Sequence, residues 1–172
     1  IPVDHLYASP VIVKHLRSMD LPSPIVVAPD TGGVKAAHAY ARMLNCGFAV
    51  VAKQRRSCEE VEALTLVGDV KNCSAIMVDD MTTTAGTLCS AAGMLEDRGA
   101  AAVYAAVSHA TITPAGIARL KQSSIRGLVV TDTVPMVEPD GFPVTVLSVA
   151  ELLAEAILRI HENRSVTSLF KP

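Results

Sequence analysis

Two carboxylates, Asp79 and Asp80, stand just before a threonine run, Thr82–Thr84, and a small-residue turn, Ala85-Gly86-Thr87, in the stretch SAIMVDDMTTTAGTL (Ser74–Leu88). Ionised carboxylates only accept hydrogen bonds, so the acid pair suits the vicinal hydroxyls of a sugar or the water shell of Mg2+. Threonine hydroxyls, here Thr84 and Thr87, donate to phosphate oxygens. Ala75–Val78 is an apolar run of strand type, and a helical pattern begins near Leu88. Where a strand feeds a tight turn and then a helix, several backbone N–H groups face one spot unpaired, and the helix N-terminus adds partial positive charge. A phosphate can sit there without a lysine, and Ala85 and Gly86 let the backbone come close. Phosphate donors beside sugar-hydroxyl acceptors describe a ribose-phosphate site. The competing reading is an N-capped helix with solvated acids, but two acids and four threonines in nine residues exceed what capping needs.

Other chemistry-bearing residues lie elsewhere in the chain. Asp30, in APDTGG, serves equally as a turn and helix cap or as a metal ligand. Lys53-Gln54-Arg55-Arg56 opens a polar stretch, 53–63, with no clear period, which reads as a mobile loop. Bases in such a loop neutralise charge developing in phosphoryl transfer, although most basic runs are simply solvated. His109, in SHAT, reads as a structural histidine bonded to a carbonyl rather than as a general base. Lys35 is as readily a surface lysine as an anion contact.

The elements that must position these residues are short apolar strands alternating with helices. The pattern predicts strands at 25–28, 48–52, 65–67, 75–79, 103–107, 128–131 and 144–146, and helices at 10–18, 33–44, 86–98, 113–122 and 149–162. Such alternation argues for the α/β class, a mostly parallel sheet covered by helices on both faces. Ligands of such sheets sit at the carboxyl ends of the strands. Asp30, Lys53, Asp79–Asp80 and His109 all follow predicted strands, so they would share one rim. Both aspartates can face one sugar only if the strand has already turned at Asp80.

At 172 residues, half of them apolar, the chain is expected to form a single domain, 1–172, with a sizeable core built from Val, Ala, Leu and Ile. A net charge of −2 and a pI near 6.2 suggest neither nucleic acid nor a membrane surface as partner. No apolar run approaches the roughly 18 residues of a membrane span. Cys46, Cys58, Cys73 and Cys89 form no C-x-x-C pair and no zinc-ligand spacing, which fits a reducing, cytoplasmic compartment. The first residue is Ile and no signal-peptide pattern follows it, so a mature or excised piece is expected.

The stretch 74–88 resembles the ribose 5-phosphate loop of the phosphoribosyltransferase fold. Its flanks narrow the resemblance to the ribose-phosphate pyrophosphokinase (phosphoribosyl pyrophosphate synthetase) family. IPVDHLYASP (1–10), APDTGGVK (28–35), LVGDV (66–70), TDTVP (131–135) and LLAEAILRIHENRSVTSLF (152–170) are similar to that family in the same order. The resemblance covers nearly the whole chain and implies the C-terminal half of an enzyme with two similar halves, on a three-layer type I phosphoribosyltransferase-like fold. The half that supplies most of the ATP pocket would precede Ile1.

The resemblance implies the following roles. Thr83, Thr84, Ala85, Gly86 and Thr87 would hold the 5-phosphate and Asp79 and Asp80 the ribose hydroxyls. Asp30 would be a ligand of Mg2+, the implied cofactor, and Lys53 and Arg55 the catalytic pair of a flexible loop. Ser165, Thr167 and Phe170 match a tail that contributes to a regulatory phosphate or ADP site between subunits. Thr83 departs from the family, which usually has an aspartate there. The implied reaction transfers pyrophosphate from ATP to the 1-hydroxyl of ribose 5-phosphate, giving phosphoribosyl pyrophosphate and AMP, in a homo-oligomer ranging from dimer to hexamer. The alternatives are a phosphoribosyltransferase that consumes that product, a non-catalytic regulatory subunit, and a half that binds ribose phosphate without turnover.

Overall fold

The structure, a computed structural model, describes residues 3–54, 63–136 and 139–170, the side chains of 53, 54 and 63 excepted. In chain order the elements are α1 (Ser9–Ser18), β1 (Pro24–Ala28), α2 (Val34–Leu44), β2 (Gly47–Gln54), β3 (Ala63–Val67), β4 (Ser74–Thr82), α3 (Gly86–Asp97), β5 (Ala102–Ala110), α4 (Pro114–Gln122), β6 (Ile125–Thr131), β7 (Val144–Leu147) and α5 (Ala150–His161). A 3-10 turn, Thr167–Leu169, closes the tail. No helix among the described residues is long and apolar enough to cross a membrane.

The strands form one sheet in the order β3-β2-β1-β4-β5-β6-β7. All neighbours are parallel except β2 and β3, which pair antiparallel from Val50↔Val67 to Gln54↔Ala63. The order reverses between β1 and β4. From β1 the chain moves outward to β2, and from β4 it moves the other way to β5, β6 and β7. An open α/β sheet leaves its ligand crevice at such a reversal, outside the strand ends.

Side-chain alternation divides the core between the two faces. Ile25, Val27, Ala75, Met77, Val103, Ala105 and Val107 pack with Leu88, Leu95 and Leu120 of α3 and α4. Val26, Ala28, Ile76, Val78 and Ala106 pack with Ile12, Leu16, Ala37 and Tyr40 of α1 and α2. Strands this apolar on both faces read as continuous hydrophobic runs, which is why 75–78 and 25–28 were legible. Burial of a phenol disfavours its charged form, and Tyr40 is pushed above its ordinary 10.0.

Several strands run longer than the sequence predicts. β2 continues through Gln54, so Lys53 lies within the strand, paired with Leu64, rather than in a loop after it. β4 continues past Asp79 to Thr82 and β5 to Ala110, so Asp80 and His109 are strand residues as well. Polar residues at a rim hide a strand from hydrophobic patterning, although the backbone ladder continues beneath them. Arg55 lies outside the described residues.

LVGDV acquires a physical reason. Gly68 follows β3 with φ +112°, and a Cβ there would stand 2.8 Å from Ala49 Cβ and 3.1 Å from its Cα. Gly68→Ala therefore adds a clash to a left-handed backbone. We expect it to cost about 2–3 kcal/mol, a fall in Tm of about 5–10 °C by circular dichroism. An unchanged melting curve would contradict this packing of β3 against β2.

Candidate active site

Asp30 stands just past β1 and Asp79–Asp80 lie near the end of β4, the two adjacent strands at which the sheet order reverses. Asp30 Oδ1 accepts the N–H groups of Gly32 (2.8 Å) and Gly33 (3.1 Å), which shapes the turn into α2. The turn role is thus directly visible, and it occupies one carboxylate oxygen.

The strand does not turn at Asp80, contrary to the expectation for two acids facing one sugar, but runs on to Thr82. By alternation Asp79 continues the Ala75–Met77 row that faces α3, and Asp80 continues the Ile76–Val78 row that faces α2. The two carboxyls nonetheless meet over the strand end. Asp80 N–H donates to Asp79 Oδ1 at 2.9 Å, and the Asp80 carboxyl lies within hydrogen-bonding reach of Asp79. Asp79 is pushed up from the ordinary 3.8 to about 6. Burial is the main cause, and the Asp80 amide pulls the other way. The negative charges of Asp80 and Asp30 and the carboxyl–carboxyl contact add to the upward push.

After Thr82 the chain makes its turn. Ala85 is the N-cap of α3 in the left-handed conformation (φ 53°, ψ 13°) and offers no side-chain oxygen to the first amides of the helix. A non-glycine residue held there costs about 1–3 kcal/mol, so the surroundings must impose it. They do so from α4 and the segment before it. Thr113 N–H donates to Thr83 O (2.9 Å), Thr111 N–H to Thr82 O (3.0 Å), and Arg119 Nη1 to Thr84 O (3.1 Å). Thr83 Oγ1 lies 3.2 Å from Thr111 Oγ1, so the residue at the family's aspartate position is tied sideways into this bracing.

A cavity of about 350 Å³ opens between the Asp30 turn and the start of α3, lined by Pro29, Asp30, Leu64, Gly86, Thr87, Ser90 and Ala91. It brings together Asp30, Gly86 and Thr87 as the sequence suggested. Ser90 was missed, although it follows Thr87 by three residues on one helix face, a signal available in the pattern. Gly116 and Arg119 were missed as well, because nothing local to them announces that α4 packs against the turn.

The remaining candidates are distributed around this centre. His109 Nδ1 lies 2.8 Å from Thr133 Oγ1, so its partner is a hydroxyl and not the carbonyl anticipated. Within TDTVP, Thr131 Oγ1 donates to Ser108 O at 2.6 Å, and Asp132 Oδ1 accepts Val149 N–H at 2.9 Å ahead of α5. The Ser148 hydroxyl, and then that amide, hold the Asp132 carboxyl below the usual range. This motif braces strand ends in this chain. Lys35 is exposed. In the tail, Ser165 Oγ donates to Thr167 Oγ1 at 3.0 Å, Arg159 holds Ser165 O (3.2 Å) and the Ser168 hydroxyl, and Phe170 is half-buried.

Comparison with known proteins places this geometry. The profile of the phosphoribosyl synthetase-associated domain matches residues 55–171. A ribose-phosphate pyrophosphokinase of Synechococcus elongatus is 45% identical over 174 residues, covering 99% of this chain and 53% of that protein. The chloroplastic ribose-phosphate pyrophosphokinase 1 of Arabidopsis thaliana is also 45% identical, with 99% of this chain and 43% of that protein covered. The chain thus spans about half the length of the curated relatives it matches. The crystal structure of phosphoribosylpyrophosphate synthetase from Mycobacterium smegmatis superposes with a TM-score of 0.84 at 35% identity, over 94% of this chain and 53% of that one. An APRTase from Giardia lamblia, at 20% identity and a TM-score of 0.55, shares the fold.

The raised Asp79 makes a measurable linkage. Between about pH 4 and 6 the unfolded chain ionises this group while the folded chain keeps it protonated, so its contribution to stability falls as pH rises and is level above about 6. Allowing for partial exposure, the loss is about 1–2 kcal/mol. Asp79→Asn should remove that slope and melt about 2–6 °C higher than wild type at pH 7.5. Parallel pH–Tm profiles for the two proteins would refute the shift.

Proposed function

Because the chain belongs to the phosphoribosyl synthetase-associated domain family, we propose that it is the ribose 5-phosphate-binding half of a ribose-phosphate pyrophosphokinase. The observation that carries the reading is the continuity of β4, the acid pair and the Thr83–Thr87 turn at the sheet reversal, beside a cavity shared with Asp30. In this reading the Thr83–Thr87 turn takes the 5-phosphate, through the amides of Ala85, Gly86 and Thr87 and the hydroxyls of Thr84 and Thr87. Asp79 and Asp80 accept hydrogen bonds from the ribose hydroxyls and so fix the ring. The 1-hydroxyl oxygen attacks the β-phosphorus of ATP and gives its proton to solvent, the bond from the β-phosphorus to the oxygen of the α-phosphate breaks with its electron pair leaving on AMP, and phosphoribosyl pyrophosphate forms. Phosphoryl transfer of this kind asks for position and charge neutralisation rather than covalent participation. Lys53, at the end of β2, and Arg55 are assigned to the latter by the resemblance of their spacing to the family's catalytic loop.

Mg2+ fits this acid set. Asp30 and Asp80 both raise Asp79 by their charge, and among the described residues no cation pairs with any of them. A ready-made cluster of three or more metal-ligating side chains is absent among the described residues. Mg2+ keeps several waters and binds through one or two carboxylates together with substrate phosphates. Asp30 is the proposed protein ligand, through the oxygen its turn leaves over. Bound there, the ion would offset polyphosphate charge.

The reading extends to a preceding half that supplies most of the ATP pocket, to a homo-oligomer between dimer and hexamer, to a cytoplasmic setting, and to a regulatory role for Ser165, Thr167 and Phe170. A non-catalytic subunit of the same family is the second reading, favoured by the engagement of Thr83 with Thr111 in place of an acid facing the sugar.

Calorimetric titration of ribose 5-phosphate into the chain should show saturable binding, weakened about tenfold or more in Asp80→Ala through loss of a charged acceptor. Mixed with ATP, Mg2+ and ribose 5-phosphate, the isolated chain should release no AMP rapidly. Absence of ribose 5-phosphate binding would overturn the reading, and rapid AMP release would overturn the assignment of the ATP pocket to another half.

A further inference from the structure

Bracing of the phosphate turn comes from one face of α4 and its cap. Thr113, Gly116 and Arg119 are spaced by three, which aligns them along a single stripe of the helix. Thr113 N–H holds Thr83 O at 2.9 Å. Gly116 has no Cβ, and one placed there would lie 2.9 Å from Thr83 O, 3.2 Å from the Thr84 carbonyl carbon and 2.8 Å from Ile112 Cγ2. The bare Cα is what lets the helix reach the turn. At the far end of the stripe, Arg119 Nη1 donates to Thr84 O at 3.1 Å.

We propose that Arg119 is a positioning residue for the phosphoryl group of a sugar phosphate. A trans peptide unit points its C=O and N–H in opposite directions. Pinning the Thr84 carbonyl to α4 therefore aims the Ala85 amide away from α4, at the side where an anion would sit. The guanidinium also leaves a full positive charge behind the turn, since its Nη1 would stand 3.7 Å from a Cβ on Gly86. Among the described residues no carboxylate forms an ion pair with Arg119. Its charge reaches the neighbouring Cys89 too. Burial pushes that thiol up, while the Ser123 hydroxyl and then Arg119 pull it down. A lysine keeps the charge but loses the planar fork that fixes the carbonyl, so the substitution separates the two contributions.

The inference rests on the ribose 5-phosphate reading of the same turn. Its test is calorimetric titration of ribose 5-phosphate, and separately of inorganic phosphate, into the full 172-residue chain. Wild type, Arg119→Met and Arg119→Lys are compared, each with its Tm. Arg119 is exposed, and Met retains most of the stem, so the Met variant is expected to melt within about 2 °C of wild type. It should bind both ligands about 10- to 30-fold more weakly and by a similar factor, because the shared phosphoryl group is what the residue serves. Lysine should recover part of the loss. Gly116→Ala, which displaces the turn from the other end of the stripe, should weaken both ligands as well. Wild-type affinity in Arg119→Met, or a loss that tracks a large fall in Tm with no recovery by lysine, would overturn the proposal. A wild-type chain that binds phosphate here through Arg119 but ignores ribose 5-phosphate would sink the substrate reading while sustaining the role of Arg119. A wild-type chain that binds neither would end both.

Discussion

β1 and β4 lie side by side, and the rim of the sheet takes its shape from that adjacency. Had the chain laid its strands down in sequence order, Asp30 and Asp79 would stand apart, separated by β2 and β3. Instead the backbone ladder between Pro24–Val27 and Ser74–Met77 brings the ends of both strands together. The helices that follow depart to opposite faces, α2 with one apolar row and α3 with the other. A crevice with an acid on each lip is what this leaves, seated on an apolar ladder.

Two unfavourable arrangements are tolerated at that crevice. Carboxyls gather there although the charges of Asp80 and Asp30 add to the ionisation cost of Asp79, and Ala85 holds a backbone conformation that glycine would adopt without strain. Both are held by their surroundings. Strand pairing fixes the acids, and Thr113, Gly116 and Arg119 fix the turn. Because the shape is settled during folding, the anion of the proposed reading would meet donors already aimed. Little of its binding energy is then diverted to ordering the loop.

Legibility in the sequence followed the physics of each signal. The apolar runs 25–28 and 75–78, the Thr113-Pro114 helix start and the amphipathic 149–162 declared themselves, because their signals are local. The small-residue turn before α3 was legible for the same reason. Strand ends were not, since Lys53, Asp80 and His109 are polar at a wet rim while their backbones stay in the strands. The reversal of strand order was hidden as well, because it is a property of long-range pairing. So was the reach of α4: Gly116 and Arg119 look like an ordinary helix interior until Thr83 and Thr84 are seen beside them. Thr83 itself stands out as a departure, but its partner Thr111 lies just past the end of β5 and leaves no trace in the local pattern.

The N-cap of α3 carries a consequence for how freely this chain can vary. Position 85 demands a left-handed backbone, which excludes branched and bulky side chains, and it is sealed from solvent with only 2% of its surface accessible. Asparagine and aspartate, which tolerate that backbone elsewhere, would bring a polar group into an apolar pocket. Alanine and glycine are what remain, and their codons are immediate neighbours. Drift at this site is therefore confined to a corridor between two residues, however far the rest of the surface wanders.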